Sequence, residues 1–167
     1  DTAILGSNPS APAKSMNIFF LNLKFFAKIK SNLFPFYKHK DLKKVFKILE
    51  QDQNPKTNVA MYVGGCVRKF LTNEKIDDID IATIFTPEEL KSKFINTNIR
   101  LIETGIEHGS VTLLTDNLKL EFTTLRQDTK TDGRHAEIQF TNDWREDSNR
   151  RDFTINSIYL DINGKIF

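Results

Sequence analysis

Ala60-Met61-Tyr62-Val63-Gly64-Gly65-Cys66-Val67-Arg68, followed after nine residues by Asp78-Ile79-Asp80-Ile81-Ala82-Thr83, is the stretch of this 167-residue chain that decides its fold. Residues 60–63 read as a short buried strand. Gly64 and Gly65 break it, and Val67, Phe70 and Leu71 then recur at helical spacing. Residues 78–83 alternate acid and aliphatic, the period of a strand. Side chains at i and i+2 of a strand share a face, so Asp78 and Asp80 project together while Ile79 and Ile81 enter the core. Two carboxylates side by side repel one another unless a cation lies between them, and hard oxygen ligands of this kind suit magnesium. Glycines between a strand and a helix let backbone N–H groups approach a phosphate at the helix N-terminus. Arg68, one turn into that helix, is placed to meet the same phosphate. Each feature also has a bland reading: an acid-x-acid pair marks many solvated strand ends, and Arg68 alone is an ordinary surface residue.

Upstream, Leu42, Val45, Phe46 and Leu49 recur at helical spacing and give one packing helix. Downstream, Thr86-Pro87-Glu88-Glu89 starts another. Thr86 can cap it, Pro87 fits the first turn, and Glu89 completes a capping box. Residues 110–115 and 118–124 read as two strands joined by Asp116-Asn117 as a hairpin turn. Residues 128–135 are polar and read as a mobile loop, residues 143–158 as a helix, and residues 159–162 with Asn163-Gly164 as a last hairpin. The order is α/β in the α+β sense: a mixed, mostly antiparallel sheet flanked by helices. No internal repeat is visible.

Composition bounds the rest. At 167 residues with 39% hydrophobic and 28% charged, the chain can form one ordinary domain with a workable core. Residues 1–40 hold six of the 24 Lys+Arg and one of the 22 Asp+Glu, which leaves residues 41–167 at a net −3. We read 1–40 as a disordered or partly helical basic arm and 41–167 as the compact domain. The arm is either a handle for RNA phosphates or a solvated tail. Residues 1–15 are rich in Ser, Ala, Pro and Asn, and Met16 is a candidate start. Phe19, Leu23 and Phe26 share a helical face, which reads as a short docking helix. The lack of acids from 2 to 40 is also a feature of organelle transit peptides, although the cations are all lysine. One cysteine, Cys66, excludes an internal disulfide and a cysteine-based zinc site. No run of 18 apolar residues is present, so no membrane partner is expected. A cytoplasmic setting is the expectation, with mitochondrial import the alternative.

The two glycine–aspartate segments resemble the nucleotidyltransferase signature of the tRNA CCA-adding enzyme and poly(A) polymerase family, in the polymerase-beta superfamily. Further matches come in the family's order. Thr104-Gly105-Ile106-Glu107-His108-Gly109-Ser110-Val111-Thr112 resembles its middle strand motif, and Glu121-Phe122-Thr123-Thr124-Leu125-Arg126 its third-carboxylate strand. Arg150-Arg151-Asp152-Phe153-Thr154-Ile155-Asn156 resembles its downstream motif. Together they cover about residues 60–167.

The resemblance implies a catalytic head domain with Asp78 and Asp80 as magnesium ligands and Glu121 as the third acid, able to assist an incoming 3′ hydroxyl. It implies that Gly64, Gly65, Arg68 and Arg151 contact a nucleoside triphosphate, with Asp152 and Asn156 supporting the site. Arg126, Asp128, Arg134 and His135 match a segment around a loop that adapts as the RNA end grows; a polar surface loop is the other account of them. His108 has no second histidine at metal spacing and reads as structural. The implied partners are ATP, CTP and an RNA 3′ end, most like that of tRNA. Three positions depart from the family's usual residues: Lys69 stands for an acid, Ser110 for Thr and Ser157 for Ala. The family also continues past this point into a helical neck that selects CTP or ATP, so CCA addition, poly(A) addition and a catalytically silent binding fragment stay open at this stage. Oligomeric state is not legible.

Overall fold

The computed structural model describes residues 35–55, 57–131, 136–151 and 154–167, leaving aside the side chains of 128–131, 136 and 137. The expected disordered segment and docking helix lie outside these residues. All of the described residues except Pro35 belong to one compact unit, Phe36–Phe167.

After a single 3₁₀ turn at Phe36–Lys38, helix α1 (Lys40–Glu50) buries Leu42, Val45, Phe46 and Leu49, the four positions whose spacing implied it. Asp41 in its first turn accepts hydrogen bonds from Thr115 Oγ1 (2.9 Å) and Asn117 Nδ2 (3.0 Å), which ties α1 to a distant hairpin turn. Strand β1 (Ala60–Val63) is followed by α2 (Gly65–Leu71) and β2 (Ile79–Thr83). Helix α3 (Pro87–Phe94) carries the expected capping box: Glu89 N donates to Thr86 Oγ1 (3.3 Å), and Thr86 N donates to Glu89 Oε2 (2.8 Å). Then come β3 (Arg100–Gly105), a 3₁₀ turn at Ile106–His108, β4 (Ser110–Leu114) and β5 (Lys119–Thr124). The chain continues through β6 (Arg126–Thr131), β7 (Ala136–Phe140), α4 (Trp144–Asn149), a 3₁₀ turn at Thr154–Asn156 and β8 (Tyr159–Leu160).

The main sheet has the order β3-β4-β5-β2-β1-β8, and β6-β7 form a separate ribbon. Within the main sheet every pairing is antiparallel except β2 with β5. The mixed, mostly antiparallel sheet with flanking helices is the architecture expected from sequence. One face of the central strands presents Ala60, Tyr62, Ile79, Ile81, Leu120 and Phe122 to the large core shared with α1 and α3. The opposite face carries a smaller cluster of Met61, Val63, Ala82, Leu125 and Tyr159, with Trp144 against it. Because both faces of β1 are covered, all four of its residues are buried.

Three readings of the sequence need correction. Residues 128–131 are strand rather than loop: β6 pairs with β7 in the register Arg126↔Phe140, Gln127↔Gln139 and Asp128↔Ile138. A two-stranded ribbon gets its ladder from backbone hydrogen bonds, so its side chains can be polar and hide it from pattern reading. The helix expected over 143–158 stops at Asn149. There the Ser148 carbonyl accepts from Arg151 N (3.3 Å) and from Ser157 Oγ (3.1 Å), closing the helix with a side chain nine residues further on. Strand β3 has no counterpart in the sequence reading; its exposed and half-buried positions do not alternate, as suits a sheet edge. The last hairpin is present, with Tyr159 and Phe167 exchanging both backbone hydrogen bonds (3.2 and 2.9 Å). Among the described residues no helix is long and apolar enough to cross a membrane.

Candidate active site

The parallel pairing positions the carboxylates. Its register matches Ile79 with Leu120, Asp80 with Glu121 and Ile81 with Phe122. Matched residues of paired strands point to the same side. Since both flanking pairs enter the large core, Asp80 and Glu121 stand together on the opposite face. Asp78 lies one residue before β2, next to the same end of the sheet. The parallel register thus brings Asp80 and Glu121, nominated from separate motifs, to one face of two adjacent strands.

Asp80 feels that company. Burial raises its proton affinity above that of an ordinary aspartate, the Glu121 and Asp78 charges raise it further, and Arg151 and Lys69 partly offset the effect. The acids act on one another through charge, but among the described residues no three Asp, Glu, His or Cys side chains meet as a metal-holding group. Glu121 instead pairs with Lys119 (2.6 Å), its neighbour two residues back on the same strand face.

The glycine turn lies against Asp80. Gly64 has φ 72° and ψ −134°, a backbone state that side chains do not tolerate, and a Cβ built on it would stand 3.6 Å from Asp80 Oδ2. At Gly65 a Cβ would meet no atom within 4 Å. Cys66 tucks behind the turn, its thiol donating to the Val63 carbonyl (3.2 Å), and burial pushes its pKa up to about 11. It stays a neutral thiol, unsuited to act as a nucleophile near neutral pH.

Arg68 Nη1 donates to Asn156 Oδ1 at 2.9 Å, so two residues expected at the site from separate motifs meet directly. Lys69, the departure from the family's usual acid, pairs with Asp77 (3.3 Å), which Lys75 also holds (2.7 Å). Arg151 directs Nε and Nη2 to Asp147 Oδ2 at 3.1 and 2.8 Å. Arg126 is fixed at the start of β6, where its Nη1 donates to the His108 backbone carbonyl (2.8 Å). Arg134, His135 and Asp152 lie outside the described residues, as does the side chain of Asp128.

Sequence reasoning missed Asp147 and Tyr159. Asp147 is fully buried and Tyr159 nearly so. Asp147 and Arg151 are four apart, the spacing of a helical ion pair, and that signal was available.

Residues 60–167 match the family model described as Poly A polymerase head domain. The chain belongs to that family. Among curated relatives, this head domain is 48% identical over 105 residues to the human protein named CCA tRNA nucleotidyltransferase 1, mitochondrial; the match covers 62% of this chain and 24% of that one. It is 45% identical over 109 residues to the Enterococcus faecalis CCA-adding enzyme, covering 64% of this chain and 26% of the relative. Among solved structures, the CCA-adding enzyme of Bacillus stearothermophilus in complex with CTP superposes with TM-score 0.60 at 33% identity, covering 74% of this chain and 28% of that one. The chain therefore spans about a quarter of the length of these relatives.

For this poly A polymerase head domain the family points to a divalent metal cation. The donor set fits one: the acids are hard oxygen ligands, and Asp80 is held by burial and like charge in a state that a nearby cation would relieve.

Proposed function

We propose that the protein of which this head domain is part transfers nucleotidyl groups from CTP and ATP to the 3′ end of tRNA, completing its CCA terminus and releasing pyrophosphate. The observation that carries this reading is the Asp80–Glu121 register beside the Gly64 turn, in a family whose curated relatives are named for CCA addition. The complex of a similar enzyme with CTP supports the nucleotide class.

In this reading Asp78 and Asp80 would hold magnesium, which would supply charge neutralisation for the triphosphate during attack on the α-phosphorus. The bond from the 3′ oxygen to that phosphorus forms as the bond to the bridging oxygen breaks, and the pyrophosphate departs. Glu121 orients the attacking hydroxyl in this reading and takes its proton. The turn at Gly64 and Gly65 gives the triphosphate close access to backbone. Arg68, braced by Asn156, and Arg151 bind it with fixed positive charge, and Asp152 supports them. Arg126, Asp128 and Arg134 belong to the β6–β7 region that tracks the growing RNA end. Positioning and electrostatics supply the catalysis, without a protein nucleophile. The proposed compartment is the cytoplasm, with the mitochondrion the alternative that the names of the vertebrate relatives support. No membrane partner is part of the reading.

The test is incubation with tRNA lacking its 3′ end, magnesium and labelled CTP or ATP. Incorporation that disappears in Asp80→Ala supports the reading. Nucleotide binding without incorporation in the wild-type chain overturns it in favour of a silent binding fragment.

A further inference from the structure

Asp147 is fully buried, and both of its oxygens accept hydrogen bonds. Oδ1 accepts from Arg150 Nε (2.9 Å), with Arg150 Nη2 at 2.7 Å, and from the backbone N–H of Arg126 (3.3 Å). Oδ2 accepts from Arg151 Nε (3.1 Å), Arg151 Nη2 (2.8 Å) and the Tyr159 hydroxyl (2.6 Å). One carboxylate thus ties α4 to the first residue of β6 and to β8. It is a deep site for a charge, and isolation there would be costly.

The balance of charge is uneven. Two guanidinium groups, about one-sixth exposed or less, share a single carboxylate, which leaves one positive charge in excess. The Arg151 charge is felt at Asp80, where it lowers the proton affinity. Arg151 also lies over the Tyr159 ring, 5.6 Å from its centroid, and that ring is braced edge-on by Trp144 at 5.4 Å. A free arginine side chain carries substantial rotamer entropy. Here Nε and Nη2 are committed to Asp147. A guanidinium gripped along one edge and stacked on an aromatic ring has little freedom left to lose when an anion arrives.

We propose that Asp147 is a positioning residue, which fixes the Arg151 guanidinium for the triphosphate of the bound nucleotide. This rests on the reading of Arg151 as a nucleotide contact. Asp147 itself touches no substrate. Its effect must therefore scale with the phosphates bound, whereas a purely structural carboxylate would support all ligands equally.

The experiment is calorimetric titration of the chain with ATP and with AMP, in magnesium, for wild type, Arg151→Ala, Asp147→Asn and the double variant. Arg151→Ala is expected to weaken ATP binding about tenfold. Asp147→Asn, with a cooperative melt, is expected to weaken ATP by a similar factor and AMP much less, and the double variant to be no worse than Arg151→Ala alone. Wild-type ATP affinity in Asp147→Asn, or equal losses for ATP and AMP, would overturn the proposal. If Arg151→Ala binds ATP normally, the nucleotide reading of Arg151 is what has failed. Should Asp147→Asn not fold, the wild-type chain still decides: the Arg151 Nε–H proton should exchange slowly with solvent and shift on addition of ATP. Exchange as fast as that of free arginine would refute the grip on which the proposal depends.

Discussion

Arg68 and Asn156 are joined by a hydrogen bond of 2.9 Å across 88 positions of sequence, from one guanidinium nitrogen to one amide oxygen. It links the helix after the glycine turn to the last 3₁₀ turn, and makes a pair of two residues that sequence could nominate only separately. Truncating either to alanine is expected to weaken ATP binding several-fold. The double variant should lose less than the sum, with a coupling of about 1 kcal/mol in titration calorimetry. Strictly additive losses would contradict a shared role.

Asp80 should make the protein less stable as pH rises. Its folded-state proton affinity is raised by burial, Glu121 and Asp78, so the stability it contributes is present below the unfolded value near 3.8 and is lost as pH climbs through the folded value. Asp80→Asn should therefore melt higher than wild type at pH 7 in the presence of a chelator. Solvent screening keeps the gain small, about 1–3 °C. The gain should vanish toward pH 3.8, and a divalent cation should raise the melting temperature of wild type but not of the variant.

Asp147 has the opposite sign. Burial alone would raise its proton affinity, but Arg151, the Tyr159 hydroxyl and Arg150 outweigh it and hold the carboxyl below the ordinary range. Its stability is present above the unfolded value of 3.8 and lost as pH falls through the depressed folded value. Asp147→Ala, which strands two guanidinium groups, should cost about 3–5 kcal/mol at pH 7 by chemical denaturation. The difference from wild type should shrink in acid. A difference that does not change with pH would refute this account.

The two glycines should separate structure from function. Gly64→Ala places a side chain in a left-handed backbone state against Asp80 and should destabilise by about 1–3 kcal/mol. At Gly65 a methyl group meets nothing, so Gly65→Ala should leave the melting temperature within a degree or two of wild type. If a triphosphate comes close to that backbone, Gly65→Ala should nevertheless weaken ATP binding. Unchanged affinity would remove Gly65 from the site.

Local rules made much of this legible. The strand at 60–63 and the capping box at Thr86 depend on neighbours within a few residues, and both are present with the bounds or bonds expected. The exposed edge β3 and the polar β6–β7 ribbon left no apolar period to read, because backbone pairing rather than a buried face defines them. The end of α4 depends on Ser157 reaching back to Ser148, a contact that no helix signal contains. At the site, the i and i+2 aspartates implied a common face, but the parallel register that brings Glu121 to it is set by tertiary packing. Asp147 escaped notice because an acid beside Glu146 in a polar stretch reads as solvated, and its spacing to Arg151 gains meaning only once its burial is known.

The central proposal is that Asp78 and Asp80 hold a divalent ion beside Glu121. Substoichiometric manganese added to the isotope-labelled chain, with NMR line broadening as the readout, tests it most directly. The backbone amides of Asp78, Asp80 and Glu121 should broaden first and together. Loss of the aspartate signals while Glu121 stays sharp, or first broadening at acids elsewhere on the surface, would contradict it.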